Sequence, residues 1–189
     1  MCYGQLHCIC YTDDRTGLDG NIVVRELMDT QWTGWWNKAF LFADSVSTGL
    51  KGSRVLYIDL DTIIVGDITP LASYSGDFII WGTAGLANED REDGYNSSIM
   101  CWREGFGRVI YTGLCLLENE VKRNIHRFDH WLEMIIPNAP CLQQVFPDLC
   151  IEYIASAQNE LPKNAKIVSF PLDPKPHKAL APWIKEAWV

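Results

Sequence analysis

The 189-residue chain is short of positive charge: 16 Lys and Arg stand against 24 Asp and Glu, a net charge of −8. A nucleic-acid backbone calls for a basic face, so this balance argues against such a partner. It leaves anionic ligands open, because a metal or a few local cations reverse the local field. No uncharged run reaches about 18 residues, and no transmembrane helix is expected. The N-terminus has no basic stretch followed by an apolar core, so no signal peptide is read there. The seven cysteines, Cys2, Cys8, Cys10, Cys101, Cys115, Cys141 and Cys150, are odd in number and include no CxxC pair. They read as buried free thiols in a reducing compartment, which places the chain in the cytoplasm, and not as a disulfide framework or zinc site. Internal repeats and low-complexity segments are absent.

What is present is a folded composition: 48% hydrophobic, 21% charged, with aromatics throughout. The length suits one domain over 1–189. Apolar, β-branched runs at His7–Tyr11, Arg54–Leu60, Ile63–Val65, Asp77–Trp81, Ser98–Trp102, Cys150–Ile154 and Lys166–Phe170 read as strands. Helical spacing covers Thr33–Ala43, Phe106–Arg123 with Val109, Ile110, Leu114, Leu117 and Val121 on one face, and Phe128–Ile136, which stops at Pro137. "GDITPL" reads as a turn, "GTAGLANEDREDGYN" as a loop over a site, and "WIKEAWV" as a closing helical turn. Alternating strands and helices make the class α/β, and the unbroken apolar run before Leu60 suits a parallel sheet under helices.

One apolar stretch, "VLYIDLDTIIVGDITPL", contains Asp59 and Asp61 one residue apart. Carboxylates beside a core strand are costly unless paired. In an extended strand the two project to one side, at the end of the strand where open α/β sheets bind ligands. Hard divalent cations such as Mg²⁺ or Mn²⁺ suit such a pair, usually shared with a substrate's phosphates. The plainer reading is a strand end capped by two solvated aspartates.

In its context the stretch resembles the DxD segment of GT-A-fold glycosyltransferases, in particular the glycogenin and bacterial galactosyltransferase-like group. Further segments resemble that group in order: "CYTDD", "WWNKAFLF", "GYNSSIMCW", "FDHWLE" and "AKIVSFPLDPKPH". The resemblance implies a Rossmann-like GT-A domain with a mixed, mostly parallel sheet. It implies a hexosyltransferase, retaining as its relatives are, that moves a hexose from a nucleotide diphosphate sugar, a UDP-sugar first, to the hydroxyl of a glycan, lipid or protein acceptor. Asp59 and Asp61 would hold Mn²⁺ or Mg²⁺. Asp13, Asp14, Lys38 and Lys175 would face the donor nucleotide, and Asn96 and Asp129 would orient the sugar.

Each residue also has a plain reading. Lys38 suits a snorkelling surface lysine, Asn96 a turn residue, Asp129 a helix N-cap, Lys175 an exposed loop, and His177 an exposed side chain. The segment also departs from the family's pattern. A first strand is expected to be lacking, which would leave a sheet edge open to pairing between copies. Pro171 stands where the family places a third metal ligand, with His177 or Asp173 as substitutes, and the Asp-Gln motif reads Asp129-His130. These departures keep open a catalytically inactive nucleotide-sugar-binding or interaction protein. A phosphohydrolase that uses Asp-x-Asp as nucleophile is a third reading, less favoured by the Asn-Ser and Lys-Pro segments.

Overall fold

A computed structural model describes residues 7–26, 32–43 and 52–187. The chain separates into two compact units, 1–34 and 35–189. In the first, β1 (Ile9–Tyr11) and β2 (Val23–Arg25) pair in parallel, with Ile9 opposite Val23. The stretch between them is polar and exposed. Cys8 is exposed and Cys10 half-buried, so these two thiols are not the buried pair expected, since a two-stranded sheet of three-residue strands offers few neighbours to pack against. Cys10, Cys101, Cys115, Cys141 and Cys150 are, like Cys8, free. Cys2 and the rest of the opening residues lie outside the described residues.

The second unit begins within a 3₁₀ helix, Gly34–Phe42, which buries Ala39, Phe40 and Phe42. Then come β3 (Arg54–Ile58), β4 (Thr62–Ile64), α1 (Thr69–Ala72), β5 (Phe78–Gly82) and β6 (Tyr95–Arg103). The helices α2 (Arg108–Leu116), α3 (Glu118–Asn124), α4 (Phe128–Ile135) and α5 (Leu142–Val145) follow. β7 (Cys150–Glu152), a π-helical turn over Tyr153–Ala157, β8 (Ile167–Ser169), a 3₁₀ turn at Pro176–Lys178 and α6 (Ile184–Ala187) complete it.

Two small sheets organise this unit. One has the order β3-β6-β5 and the other β4-β8-β7. The α/β class and mixed sheet hold, but the pairing is not mostly parallel: β3–β6, β5–β6 and β4–β8 are antiparallel, β1–β2 and β7–β8 parallel. The reason is connectivity. β5 returns to β6 through a loop and not through a crossover helix, and such a link serves antiparallel neighbours. β3 is half-buried at an edge of its sheet, while β6 is buried along almost all its length. From β6, Ile99 and Cys101 join Ile79, Trp81, Leu142, Cys150 and Ile167 in one core. Trp102 instead meets Phe42, with ring centroids 4.7 Å apart. On the other side of the second sheet, Ile63, Ile151 and Val168 pack with Tyr153, Phe170 and Ile184.

The helical stretch read as continuous from Phe106 is broken at Leu117 (φ −113°, ψ 26°), which starts α3 on a new phase. Ile110, Leu114 and Val121 are therefore buried while Val109 and Leu117 face outward. The strand expected over Cys150–Ile154 stops at Glu152, where the π-helical turn begins. Gly107, just before α2, has φ +75°, and a Cβ there would lie 2.9 Å from Ile110 Cδ1 and 3.1 Å from Phe42 Cδ1. Gly107→Ala is expected to cost about 1–3 kcal/mol from backbone strain and crowding. In a calorimetric scan that is a fall of roughly 3–10 °C in Tm.

Candidate functional site

β3 and β4 are consecutive strands that belong to different sheets, and Asp59, Leu60 and Asp61 are the link. Asp59 N–H donates to Ser98 C=O (2.9 Å), continuing the β3–β6 ladder, while Asp61 C=O accepts from Phe170 N–H (2.9 Å), next to the β4–β8 ladder. The strand expected over Arg54–Leu60 thus ends at Ile58, and the two aspartates are anchored one to each sheet. Between them Leu60 is 96% exposed. An apolar side chain held out at this point is unexplained by packing.

Each aspartate carries a lysine. Lys38 Nζ donates to Asp59 Oδ2 at 2.8 Å, and to Ser97 Oγ and C=O at 3.2 and 3.3 Å. The buried residues that follow it in the 3₁₀ helix hold this lysine in place. Asp59 Oδ1 accepts from Tyr57 O–H at 2.6 Å. Burial is the main cause that pushes the Tyr57 phenol upward, followed by the Asp59 charge, its hydrogen bond, and the Asp61 charge. Lys175 Nζ donates to Asp61 Oδ2 at 2.6 Å and to the carbonyls of Phe170 (2.8 Å) and Pro171 (3.2 Å). It lies between Pro174 and Pro176, whose fixed φ angles stiffen the turn that carries it.

The remaining expected residues of this unit join the same network at one remove. Asp129 is not the N-cap of α4; that position is Arg127, with no side-chain cap. It lies in the first turn, where its Oδ1 accepts from Ser97 N–H at 2.9 Å. Asn96 Oδ1 accepts from Ser98 N–H at 2.9 Å. Asp129 thus steadies Ser97, and Ser97 in turn holds Lys38 against Asp59. Asp13 and Asp14 belong to the N-terminal unit, in an exposed turn where Thr16 N–H donates to Asp14 Oδ1 at 2.8 Å. The Thr16 hydroxyl first, and this N–H second, lower the Asp14 carboxyl below its ordinary value.

Two features bear on a divalent cation. Asp61 Oδ1 is buried and has no hydrogen-bond partner among the described residues, so its chemistry suits a cation or water as partner. Among the described residues, however, no group of three His, Cys, Asp or Glu side chains is placed to hold a metal, so neither His177 nor Asp173 supplies a third ligand. Mg²⁺ commonly uses one or two carboxylates and completes its shell with water and phosphate oxygens, so the aspartate pair fits an open site of that kind.

The loop from Thr83 to Gly94 is stapled at its base. Thr83 N–H donates to Gly94 C=O, and the Thr83 hydroxyl donates to Arg91 C=O. Arg91 pairs with Glu133 at 3.1 Å, and Glu133 also accepts from Tyr95 N–H at 2.9 Å. Gln143, on α5, extends the edge of β5: its side-chain oxygen accepts from Gly82 N–H and its amide donates to Gly82 C=O, at 2.9 and 2.8 Å. Further along, Ala87 N–H donates to Glu152 Oε2 at 2.6 Å.

Glu152, Ser97, Tyr57 and Gln143 were not singled out from the sequence. Glu152 had a legible signal, a single carboxylate inside the apolar run "LCIEYI". Burial raises its carboxyl above the ordinary value, against the pull of the Ala87 and Ala155 N–H groups. The native state therefore holds this proton more tightly than the unfolded chain, whose glutamates titrate near 4.5. That contribution is present below the unfolded value and is lost as pH rises through the raised native one. In urea titrations across that window, the difference in stability between wild type and Glu152→Gln is expected to move in favour of the variant as pH rises.

No protein-family model matches the chain, and no curated protein matches it by sequence. Solved structures do. The glycosyltransferase GlyE of Streptococcus pneumoniae TIGR4 superposes with a TM-score of 0.61 at 15% identity, over 88% of this chain and 45% of GlyE. The chain has a glycosyltransferase fold of the GT-A kind. The apo form of GlyE gives 0.59 at 15% identity over 89% of this chain. The galactosyltransferase LgtC, solved with donor and acceptor sugar analogues, gives 0.57 at 14% identity over 88% of this chain and 73% of its own. The chain thus spans under half the length of GlyE. Among the described residues no helix is long and apolar enough to cross a membrane.

Proposed function

We propose that residues 1–189 act as a glycosyltransferase domain that moves a hexose from a UDP-sugar to an acceptor hydroxyl. The observation that carries this reading is the junction at Asp59 and Asp61, where two carboxylates meet two lysines and one buried carboxylate oxygen is left open. Glycosyltransferase neighbours in fold support it. Asp59 and Asp61 would hold Mn²⁺ or Mg²⁺, which when bound supplies Lewis-acid charge to the diphosphate. Lys38 and Lys175 bring two ammonium groups to the place where the leaving phosphate gains charge, the kind of prearranged stabilisation that contributes most to many enzymes. The Asn96 amide nitrogen is the group on β6 suited to a sugar hydroxyl, and Asp129 keeps that strand end in place. Asp13 and Asp14 are assigned to the nucleotide, and the reaction is assigned retention. The Thr83–Gly94 loop would exclude water that otherwise hydrolyses the donor. The free thiols suit a cytoplasmic protein, and the half-buried edge of β3 suits pairing between copies.

Pro171 favours a second reading, a sugar-nucleotide binder without turnover. Its carbonyl is occupied by Lys175, and it brings no ligand to the aspartates. Calorimetric titration of UDP-glucose and UDP-galactose, with and without Mn²⁺, combined with an assay for UDP release, separates the two. Metal-dependent binding with slow UDP release is the expected result. Binding without release would leave the second reading, and no binding from folded protein would remove both.

A further inference from the structure

A second set of buried oxygens without partners crosses the β4-β8-β7 sheet. Thr62 Oγ1, Ser169 Oγ and Glu152 Oε1 are buried and find no hydrogen-bond partner among the described residues. Thr62 lies opposite Ser169 in the antiparallel pair, and Ser169 lies opposite Glu152 in the parallel pair. Residues so paired point to one face, with side chains about 5 Å apart, so the three form a polar row over a face that is otherwise apolar. Ser169 is fully buried and Glu152 is 2% exposed. An unmet buried group of this kind is costly, and native structures keep few of them.

The row ends at a cavity of about 210 Å³ whose wall combines the polar Gln143, Asp148, Glu152 and Ser156 with apolar residues that include Trp81 and Leu86. The Ala84–Ala87 stretch lies over it. Ala84, Gly85 and Ala87 are exposed, and Ala87 N–H is tied to Glu152 Oε2. The chemistry of the row selects its ligand. A carboxylate accepts hydrogen bonds, while the two hydroxyls behind it both donate and accept. An anion would meet Glu152 and Asp148 unfavourably, and an apolar molecule would leave the oxygens unmet. A molecule with adjacent hydroxyl groups supplies what is missing. The position also fits: Thr62 follows Asp61 in sequence, and Glu152 is two strands from Thr62, about 10 Å at ordinary strand spacing.

We propose that the cavity beside Glu152 is the acceptor subsite, taking a saccharide through its hydroxyls, with Glu152 Oε1 as the principal hydrogen-bond acceptor and the Ala84–Ala87 stretch yielding to admit it. The word acceptor rests on the glycosyl-transfer reading; saccharide binding at Glu152 does not. The test is ligand-observed NMR with methyl β-galactoside, methyl α-glucoside, lactose and maltose, on wild type, Glu152→Leu and Ser156→Trp. UDP-sugar titration runs in parallel. Ser156 is exposed, so its tryptophan obstructs the cavity mouth without entering the core and decides the matter if the Glu152 variant fails to fold. At least one saccharide is expected to bind wild type and to weaken more than tenfold in each folded variant, with UDP-sugar affinity within twofold. Binding to none of the four, or binding unchanged in the folded variants, overturns the subsite; water alone then fills the row. Saccharide binding lost in the variants when wild type binds no UDP-sugar upholds the site and removes the donor reading instead.

Discussion

The Asp61→Asn protein is expected to lose metal-dependent UDP-sugar binding at least tenfold, and turnover by about 10²–10³-fold, while remaining as stable as wild type. The two effects have different causes. The amide keeps the shape of the carboxylate and still accepts from Lys175, 2.6 Å away in the wild type. It removes a charge whose second oxygen is buried without a partner among the described residues, and such an oxygen is a cost to folding that offsets the weakened ion pair. For a divalent cation the exchange is unfavourable, since a neutral amide oxygen replaces one of two anionic ligands. Titration of UDP-sugar with Mn²⁺ reads the first effect and a urea midpoint the second. Lys175→Met is the contrasting variant. It leaves Asp61 without its cation and frees the carbonyls of Phe170 and Pro171, so stability is expected to fall as well as turnover. A change in stability for Asp61→Asn as large as that for Lys175→Met, with donor binding intact, would make the pair a structural tie and not a donor site.

Trp131→Ala carries the largest expected loss of stability, about 3–5 kcal/mol. Trp131 is 1% exposed on α4, and its ring crosses α2 so closely that a Cβ on Gly113 would lie 3.0 Å from Cζ2. Its indole N–H donates to the Ile110 carbonyl at 3.0 Å. Truncation removes the ring's dispersion contacts, opens a cavity between two helices and leaves that carbonyl unmet. Domains of this size have only about 5–15 kcal/mol in hand. The urea midpoint is expected to drop by roughly 1–3 M, and Trp131→Phe by far less, because most of the ring remains. Donor affinity should follow stability, because Asp129 lies on the same helix and holds Ser97 in the lysine network. A midpoint shift under about 0.3 M would show that the helices close over the gap.

Several elements were legible in the sequence because their information is local. The runs at Arg54, Asp77 and Ser98 formed strands, Pro137 ended α4, and the stretch after Gly82 formed a loop, from Thr83 to Gly94. Lys38 was legible as a cation out of place on an apolar helix, and Lys175 as one fixed between prolines. Other features depend on partners distant in sequence. β2, α1 and α5 are four residues or fewer, too short for periodicity to mark. Strand direction was misjudged because an apolar run reads the same in either direction, whereas the β5–β6 return sets it antiparallel.

By itself, then, the sequence determined an acidic α/β chain with two aspartates set into apolar strand and with lysines and an asparagine spaced along it. Tertiary structure alone decided what those residues meet. Asp59 and Asp61 are two positions apart in the chain, yet one is bound to β6 and Lys38, the other to Phe170, just after β8, and to Lys175, 114 residues on. The row from Thr62 through Ser169 to Glu152 exists only because three strands align in register. The physical reason is that local pattern fixes which face of an element is apolar, while the pairing of charges and hydroxyls depends on which elements that apolar burial brings together.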